Sequence, residues 1–422
     1  MPNTAFSIST VCARFFQPVA NIFSHLLTSQ RKCPQLSDQD FIEMGLARVL
    51  SNAASGRDFL QSHAEAGRRR LSVGHFFETL KSPRRLALCR ELSRCLQQSV
   101  NRVCEDPFRP FRELANFDLY AGDGHCHAAA AHDKAIGDSR QPVGHLFTLN
   151  LRSRALHYLT LGESGGTRKH EHDMHALKRL DLDELRHHAK KGRKAIMVWD
   201  RAGIDFRFWH KAKQNGLYFV SRDKDNMRPE TVGLMPFDKK DPRNQGVLTD
   251  DIVSTSQGVG VRRIVYYDPI GDVTYTYLTS EMTLPPGLIA LLYKRRWDIE
   301  KVFDEAKNKY HERKAWASSP TSKMIQGQFI AMTHNLMLLI EVDLEQTEQV
   351  RNEPEIARRA ERLKQIKTHL AKRGLAIPFV YSAMNHLTQR GVKLIRWLRN
   401  HLYGTREWSD AVRDLRRLYA AL

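Results

Sequence analysis

Ala195-Ile196-Met197-Val198-Trp199-Asp200 is an unbroken apolar run that ends on an acid. A run of this length without polar alternation reads as a strand covered on both faces, as in a sheet with helices on either side. The surrounding sequence extends that reading. Phe117–Gly122, His145–Arg152 and Ala155–Leu161 read as three strands, the last two alternating in hairpin fashion. A helical stretch from Leu177 to Lys191, closed by Gly192, leads into the buried run, and a helix over Asp205–Gln214 and a strand over Leu217–Ser221 follow it. The order β-β-β-α-β-α-β predicts an α/β fold, a mixed sheet flanked by helices. Residues 223–285 read as a β-rich insertion with strand-like runs at Gly260–Tyr267 and Thr274–Leu278.

Both flanks read as helical. Ser37 before an acid-rich first turn opens an apolar-periodic run (Phe41, Ile42, Leu46, Val49, Leu50), and Ser82-Pro83 starts a helix through Val103. Pro285-Pro286 starts a long helix to about His311, and a charged, linker-like stretch lies near 345–362. Three regions are expected: 1–116, helical; 117–345, with the insertion 223–285; and 346–422, helical.

Composition narrows the function. The chain has 422 residues, 41% hydrophobic and 27% charged, which is globular rather than disordered. The most apolar stretch, Phe329 to Val342, is interrupted by Thr333, His334, Asn335 and Glu341, so no membrane span is expected. Arg14 and Pro18 break the apolar N-terminus, which argues against a secretory signal. Six cysteines without a C-x2-C pair argue against a cysteine zinc site or disulfide framework and fit a reducing cytoplasm. A net charge of +19 calls for a polyanion, with nucleic acid the default. That charge is uneven: residues 1–116 carry +6, residues 346–422 carry +9, and the middle carries +4.

Three acids stand out against this background. Asp123 ends the first strand, Asp200 ends the buried strand, and Glu300 lies within the long helix. Open α/β sheets place ligands at strand ends, and acids converging there suit a two-metal phosphoryl-transfer site. Ligation by oxygen alone selects Mg²⁺, with Mn²⁺ able to substitute. Taken singly, an aspartate at a strand end is more often a turn residue or helix cap, and Glu300 alone reads more readily as a solvated helix residue. The helix adds a pattern. Tyr293, Arg296, Glu300 and Lys307 fall within ~60° of an ideal helix surface, where cations would hold phosphates beside a metal-holding carboxylate. Arg296 and Glu300 also read as an ordinary i,i+4 ion pair.

Tyr293-x2-Arg296-x3-Glu300-x6-Lys307 resembles the Y-R-E-K signature of the DDE transposases of bacterial insertion sequences, specifically insertion-sequence family four. The resemblance covers about 117–345 and implies an RNase H-like core in which Asp123, Asp200 and Glu300 are the catalytic, metal-holding acids. Tyr293, Arg296 and Lys307 would then contact DNA. The sequence departs from the family at Ala202-Gly203-Ile204, where relatives carry glycine and an aromatic soon after the second acid. The implied activity is metal-dependent cleavage at terminal inverted repeats and joining of the 3′-OH ends to target DNA. Two copies would act in a paired-end complex, in the bacterial cytoplasm at the nucleoid. A catalytically inactive DNA-binding protein and a host RNase H-like nuclease are the alternatives. Some relatives hold a flipped base with aromatics of the insertion; Tyr266, Tyr267, Tyr275 and Tyr277 lie in that region, but strand tyrosines are more often packing residues and no role is assigned to them.

Further basic residues are candidates for gripping DNA. Arg68, Arg69 and Arg70 would sit on phosphates, and Arg84 and Arg85 would lie on a groove-facing helix with Arg90 and Arg94. The run His170-Glu171-His172-Asp173-x-His175 has no metal-ligand spacing and reads as a polar loop entering a helix. His125 and His127 read as strand-exit histidines.

Overall fold

The computed structural model describes residues 10–25, 35–68, 70–136, 139–163, 171–227, 229–255, 258–382 and 392–421. Five helices come first: α1 (Val11–His25), α2 (Asp38–Leu50), α3 (Gly56–Glu65), α4 (Val73–Thr79) and α5 (Pro83–Val103). Ser37, Ser55, Ser72 and Ser82 cap the last four, each hydroxyl accepting a backbone N–H three residues on. These caps satisfy donors that a helix start otherwise leaves open.

The sheet contains β1 (Phe117–His127), β4 (Val143–Asn150), β5 (Leu156–Leu161), β6 (Lys194–Val198) and β7 (Leu217–Arg222), with a two-residue ladder of β2 (Ala135–Ile136) and β3 (Ser139–Arg140) set apart. The core order is β5-β4-β1-β6-β7, with β1, β6 and β7 mutually parallel and β4 antiparallel to both β1 and β5. This is an RNase H-like mixed sheet, as the sequence order predicts. The insertion contributes β8 (Glu230–Leu234), β9 (Val247–Ser254), β10 (Gly260–Asp268) and β11 (Val273–Thr279). Its strands extend the same sheet, because β11 pairs antiparallel with β7, giving nine strands in the order β5-β4-β1-β6-β7-β11-β10-β9-β8.

Between β5 and β6 lie α6 (Asp173–Arg179) and α7 (Leu182–Leu185), and α8 (Phe206–Gln214) joins β6 to β7. The single helix expected over Leu177–Lys191 is therefore two short ones. The Asp181 carboxylate accepts from Asp183 N–H at 2.7 Å and starts a new turn, which ends where His187 and His188 adopt φ of 51°.

The helix expected from Pro285 to His311 is also divided. It comprises α9 (Pro286–Arg295), α10 (Trp297–Asp304) and one π-type turn, Glu305–Lys309. At the joint, Arg296 N–H bonds the Tyr293 carbonyl and Ile299 N–H the Arg296 carbonyl, a tighter i→i+3 pattern. The buried pair Arg295–Asp298 fixes this joint. There follow α11 (Pro320–Gln346), α12 (Glu353–Lys372), α13 (Phe379–Ser382), α14 (Val392–Leu402) and α15 (Trp408–Ala420). The stretch read as a linker near 345–362 is mostly α12, whose alternating charges sit on a solvated helix with only Leu370 buried.

One apolar core runs from α1 and α2 through α5, β1, β4, α9 and α11 to α14 and α15. Within it, Asn335 of α11 bonds both the N–H and the carbonyl of Leu156 at 2.9 and 3.0 Å. That side chain pairs backbone groups of the edge strand β5, whose Leu156 carbonyl also accepts from Gln97 Nε2 at 3.3 Å. Among the described residues no helix is long and apolar enough to cross a membrane, and five cysteines are free thiols.

Candidate active site

The parallel strands β1, β6 and β7 bring three polar groups to one sheet edge: Asp123 in β1, Asp200 just after β6, and Arg222 at the end of β7. Glycine flanks Asp123 for steric reasons. A Cβ on Gly122 would lie 1.8 Å from the Trp199 ring, and one on Gly124 would lie 3.1 Å from the Asp173 carboxylate. The absence of both methyl groups lets the buried Trp199 pack on β1 and lets Asp173, at the start of α6, approach the first acid.

Asp200 caps a 3-10 turn (Arg201–Gly203), its Oδ1 accepting from Ala202 N–H at 2.8 Å and its carbonyl from the Ser221 hydroxyl at 2.7 Å. The cap reading and the site reading therefore coexist in one residue. The departure at Ala202-Gly203-Ile204 is this turn, with Gly203 beneath the Trp199 side chain. Glu300 lies on α10, and Arg296, at the α9–α10 joint, links it to the first acid. Arg296 approaches Glu300 Oε1 at 2.5 Å and Asp123 Oδ2 at 3.7 Å.

The Asp123 carboxyl responds to the charges around it. Burial pushes the Asp123 carboxyl up to about 7. The Arg296 guanidinium and the Gly124 N–H oppose that rise, whereas the negative charges of Asp200 and Asp173 add to it. Burial likewise raises the Tyr293 hydroxyl, which the positive charges of Arg296 and Arg222 oppose and the negative charge of Asp200 reinforces. Lys307 is exposed on the π-type turn; burial lowers the His125 imidazole to about 4 and the Lys307 charge adds to that fall, which places Lys307 near His125 of β1. The helical break means that Lys307 does not continue a regular stripe with Tyr293, Arg296 and Glu300.

The donor chemistry fits a hard divalent cation: the groups are carboxylates, and Asp123 is short of positive charge. Their spacing is another matter. Among the described residues no three His, Cys, Asp or Glu side chains are gathered closely enough to hold a metal ion. Arg296 occupies the gap between Asp123 and Glu300.

Two neighbouring acids, one on the strand of Asp123 and one a turn beyond Glu300, are engaged otherwise. Asp118 faces away from Asp123 and pairs with Arg193 at 2.6 Å, while Asp304 accepts from Asn308. Asp173, Arg222 and Trp297 were missed by the sequence reading. Arg222 had a detectable signal, since it ends the next parallel strand after Asp200 and thus shares its edge. Its guanidinium lies 5.0 Å from the Tyr275 ring. Trp297, exposed beside Arg296, and Asp173, inside a polar run, had none.

Other expectations change. Arg85 is not available to a DNA groove. It is 4% exposed, over the Phe41 ring and bonded to the Leu36 carbonyl, and α5 lies against α11 rather than standing free. Arg84 is held in a two-pronged pair with Asp38, both bonds 2.6 Å. Arg68 reaches the Cys12 sulfur and the Tyr403 ring, Arg70 is exposed, and Arg69 lies outside the described residues. His125 and His127 are buried within β1, His125 stacked on Phe303 of α10 at 4.8 Å. His170 lies outside the described residues, and His172 caps α6. Tyr266 and Tyr277 are buried packing residues.

Residues 147–336 match the family model described as transposase DDE domain. The match contains Asp200, Tyr293, Arg296, Glu300 and Lys307, and Asp123 lies before it. The chain is also 30% identical over 115 residues to "Putative transposase y4zB" of Sinorhizobium fredii (strain NBRC 101917 / NGR234), covering 26% of this chain and 32% of the relative. It thus spans about a third of the length of the curated relative it matches.

Proposed function

We propose that the chain, whose residues 147–336 match the transposase DDE domain model, cuts DNA at the terminal inverted repeats of an insertion sequence and joins the freed 3′-OH ends to target DNA. Asp123, Asp200 and Glu300 are the acids of the cutting site. The observation that carries this reading is the bridge from Asp123 through Arg296 to Glu300, set within the field of Asp200 at a strand-end edge. These three acids would hold a divalent ion, Mg²⁺ with Mn²⁺ able to substitute. When bound, such an ion supplies activation of the attacking oxygen and charge stabilisation of the departing one.

The remaining roles belong to the chain. Arg222 and Lys307 flank the acids and hold backbone phosphates on either side of the scissile bond. The Tyr293 hydroxyl, kept protonated by burial, donates a hydrogen bond toward the strand. The helical flanks, with net charges of +6 and +9, grip duplex DNA, and two copies hold two ends together. The setting is the bacterial cytoplasm.

A duplex carrying the sequence that flanks this reading frame tests the proposal. With Mg²⁺ or Mn²⁺, the chain should nick at the outer edge of an inverted repeat and transfer that end to a second duplex. Binding without nicks would leave a non-catalytic DNA-binding protein. Nicking indifferent to the flanks would leave a general nuclease.

A further inference from the structure

We infer that Arg296 is a positioning residue that stands in for the metal. In the DNA-free chain its guanidinium pairs with Glu300 and reaches toward Asp123, and it must release Glu300 before the three acids can close on a divalent cation. This rests on the site proposed above and adds the order of its assembly. Arg296 is 6% exposed at the α9–α10 joint, with one nitrogen 2.5 Å from Glu300 Oε1 and another 3.7 Å from Asp123 Oδ2. It occupies the place between carboxylates where a cation would serve, and among the described residues no three acids are gathered closely enough to hold a metal ion. A metal ion and the guanidinium therefore compete for the same oxygens, and their like charges repel at that range.

Arg296 also has unused bonding capacity. Its Nε–H is buried without a partner, and a planar fork with a spare donor matches a phosphate better than one carboxylate oxygen. The Tyr293 and Trp297 rings lie 6.0 and 5.2 Å from it, and Trp297 is 56% exposed, so the fork has an outlet to the surface on that side. A DNA phosphate arriving there draws the guanidinium off Glu300, which frees the carboxylate. The arrangement couples metal loading to DNA arrival and keeps the free chain from cutting.

Mn²⁺ binding to the full chain, read by the electron paramagnetic resonance of free Mn²⁺, tests this without any activity assay. Without DNA, Arg296→Gln should bind Mn²⁺ at least about tenfold more tightly than the parent, a gain erased by adding Glu300→Gln. A duplex should tighten Mn²⁺ binding by the parent but not by Arg296→Gln. If Arg296→Gln misfolds, Arg296→Lys, whose compact ammonium cannot span both acids, should show a several-fold gain. Unchanged or weaker Mn²⁺ binding by a folded variant overturns the inference. The underlying site is checked separately: if Asp123→Asn and Asp200→Asn bind Mn²⁺ like the parent in the presence of DNA, the metal assignment itself fails.

Discussion

Glu312 fastens the exit of the site helix, and its ionisation gives a stability change of predictable size and sign. The residue is 4% exposed, its Oε2 accepts from Trp316 Nε1 at 3.1 Å and Gln326 Nε2 at 2.7 Å, and its N–H bonds the Ala306 carbonyl. Burial pushes its carboxyl from 4.5 up to about 7, against the opposing charge of Arg48 and those two hydrogen bonds. The folded chain thus favours the neutral acid. The stability it contributes is complete below pH 4.5 and is lost as pH rises through about 7. At about 1.4 kcal/mol per pH unit, the ionised form costs the fold about 3 kcal/mol by pH 8.5. Glu312→Gln keeps the accepting oxygen and cannot ionise. It should therefore exceed the parent by about 3 kcal/mol at pH 8.5 and by less than about 1 kcal/mol at pH 5. Chemical denaturation at both values measures this, and the raised Asp123 carboxyl cancels because both proteins carry it. A gain independent of pH, or a loss at pH 8.5, would refute the reasoning.

Other outcomes follow from single contacts. Arg85→Ala removes a buried cation from Asp38, the Leu36 carbonyl and the Phe41 ring. It should cost about 3 kcal/mol in denaturant titration while leaving the salt slope of DNA binding unchanged. Gly122→Ala drives a methyl into the Trp199 ring and should lower stability by about 2 kcal/mol, with near-ultraviolet dichroism reporting the displaced indole. Replacing Arg362, Lys364 and Lys367 of the solvated helix α12 with glutamine should reduce the slope of log K against log salt by about 2 to 3 if this helix lies on DNA phosphates. An unchanged slope would move the DNA path elsewhere.

The parts of this protein that were legible in the sequence are those where one signal dominates. Ala195–Trp199 could only be a buried strand, and Ser82-Pro83 could only begin a helix; the structure starts α5 at Pro83. Asp200 was visible because its strand end can be located, whereas Asp123, expected to end the first strand, lies within β1, whose ladder with β4 runs on to His127. β8 and β9 were not, since Glu230–Leu234 is almost wholly exposed and carries no burial pattern. The break at Arg296 was hidden because a helical period says nothing about a joint fixed by the buried Arg295–Asp298 pair. Basic residues were the least legible. Arg85 and Arg84 look like phosphate ligands until α2 places Asp38 against them. Asp173 joins the site only through the space that Gly124 leaves, a tertiary fact with no local signature.

The central claim is that three acids from three separate elements cut DNA together. Single-turnover cleavage of an end-bearing duplex by Asp123→Asn, Asp200→Asn and Glu300→Gln, each shown to be folded and to bind that duplex like the parent, tests it most directly. Each substitution should slow strand cleavage by about 10³-fold or more. Cleavage by any one of them within about tenfold of the parent would contradict the assignment of that acid and the three-acid site with it.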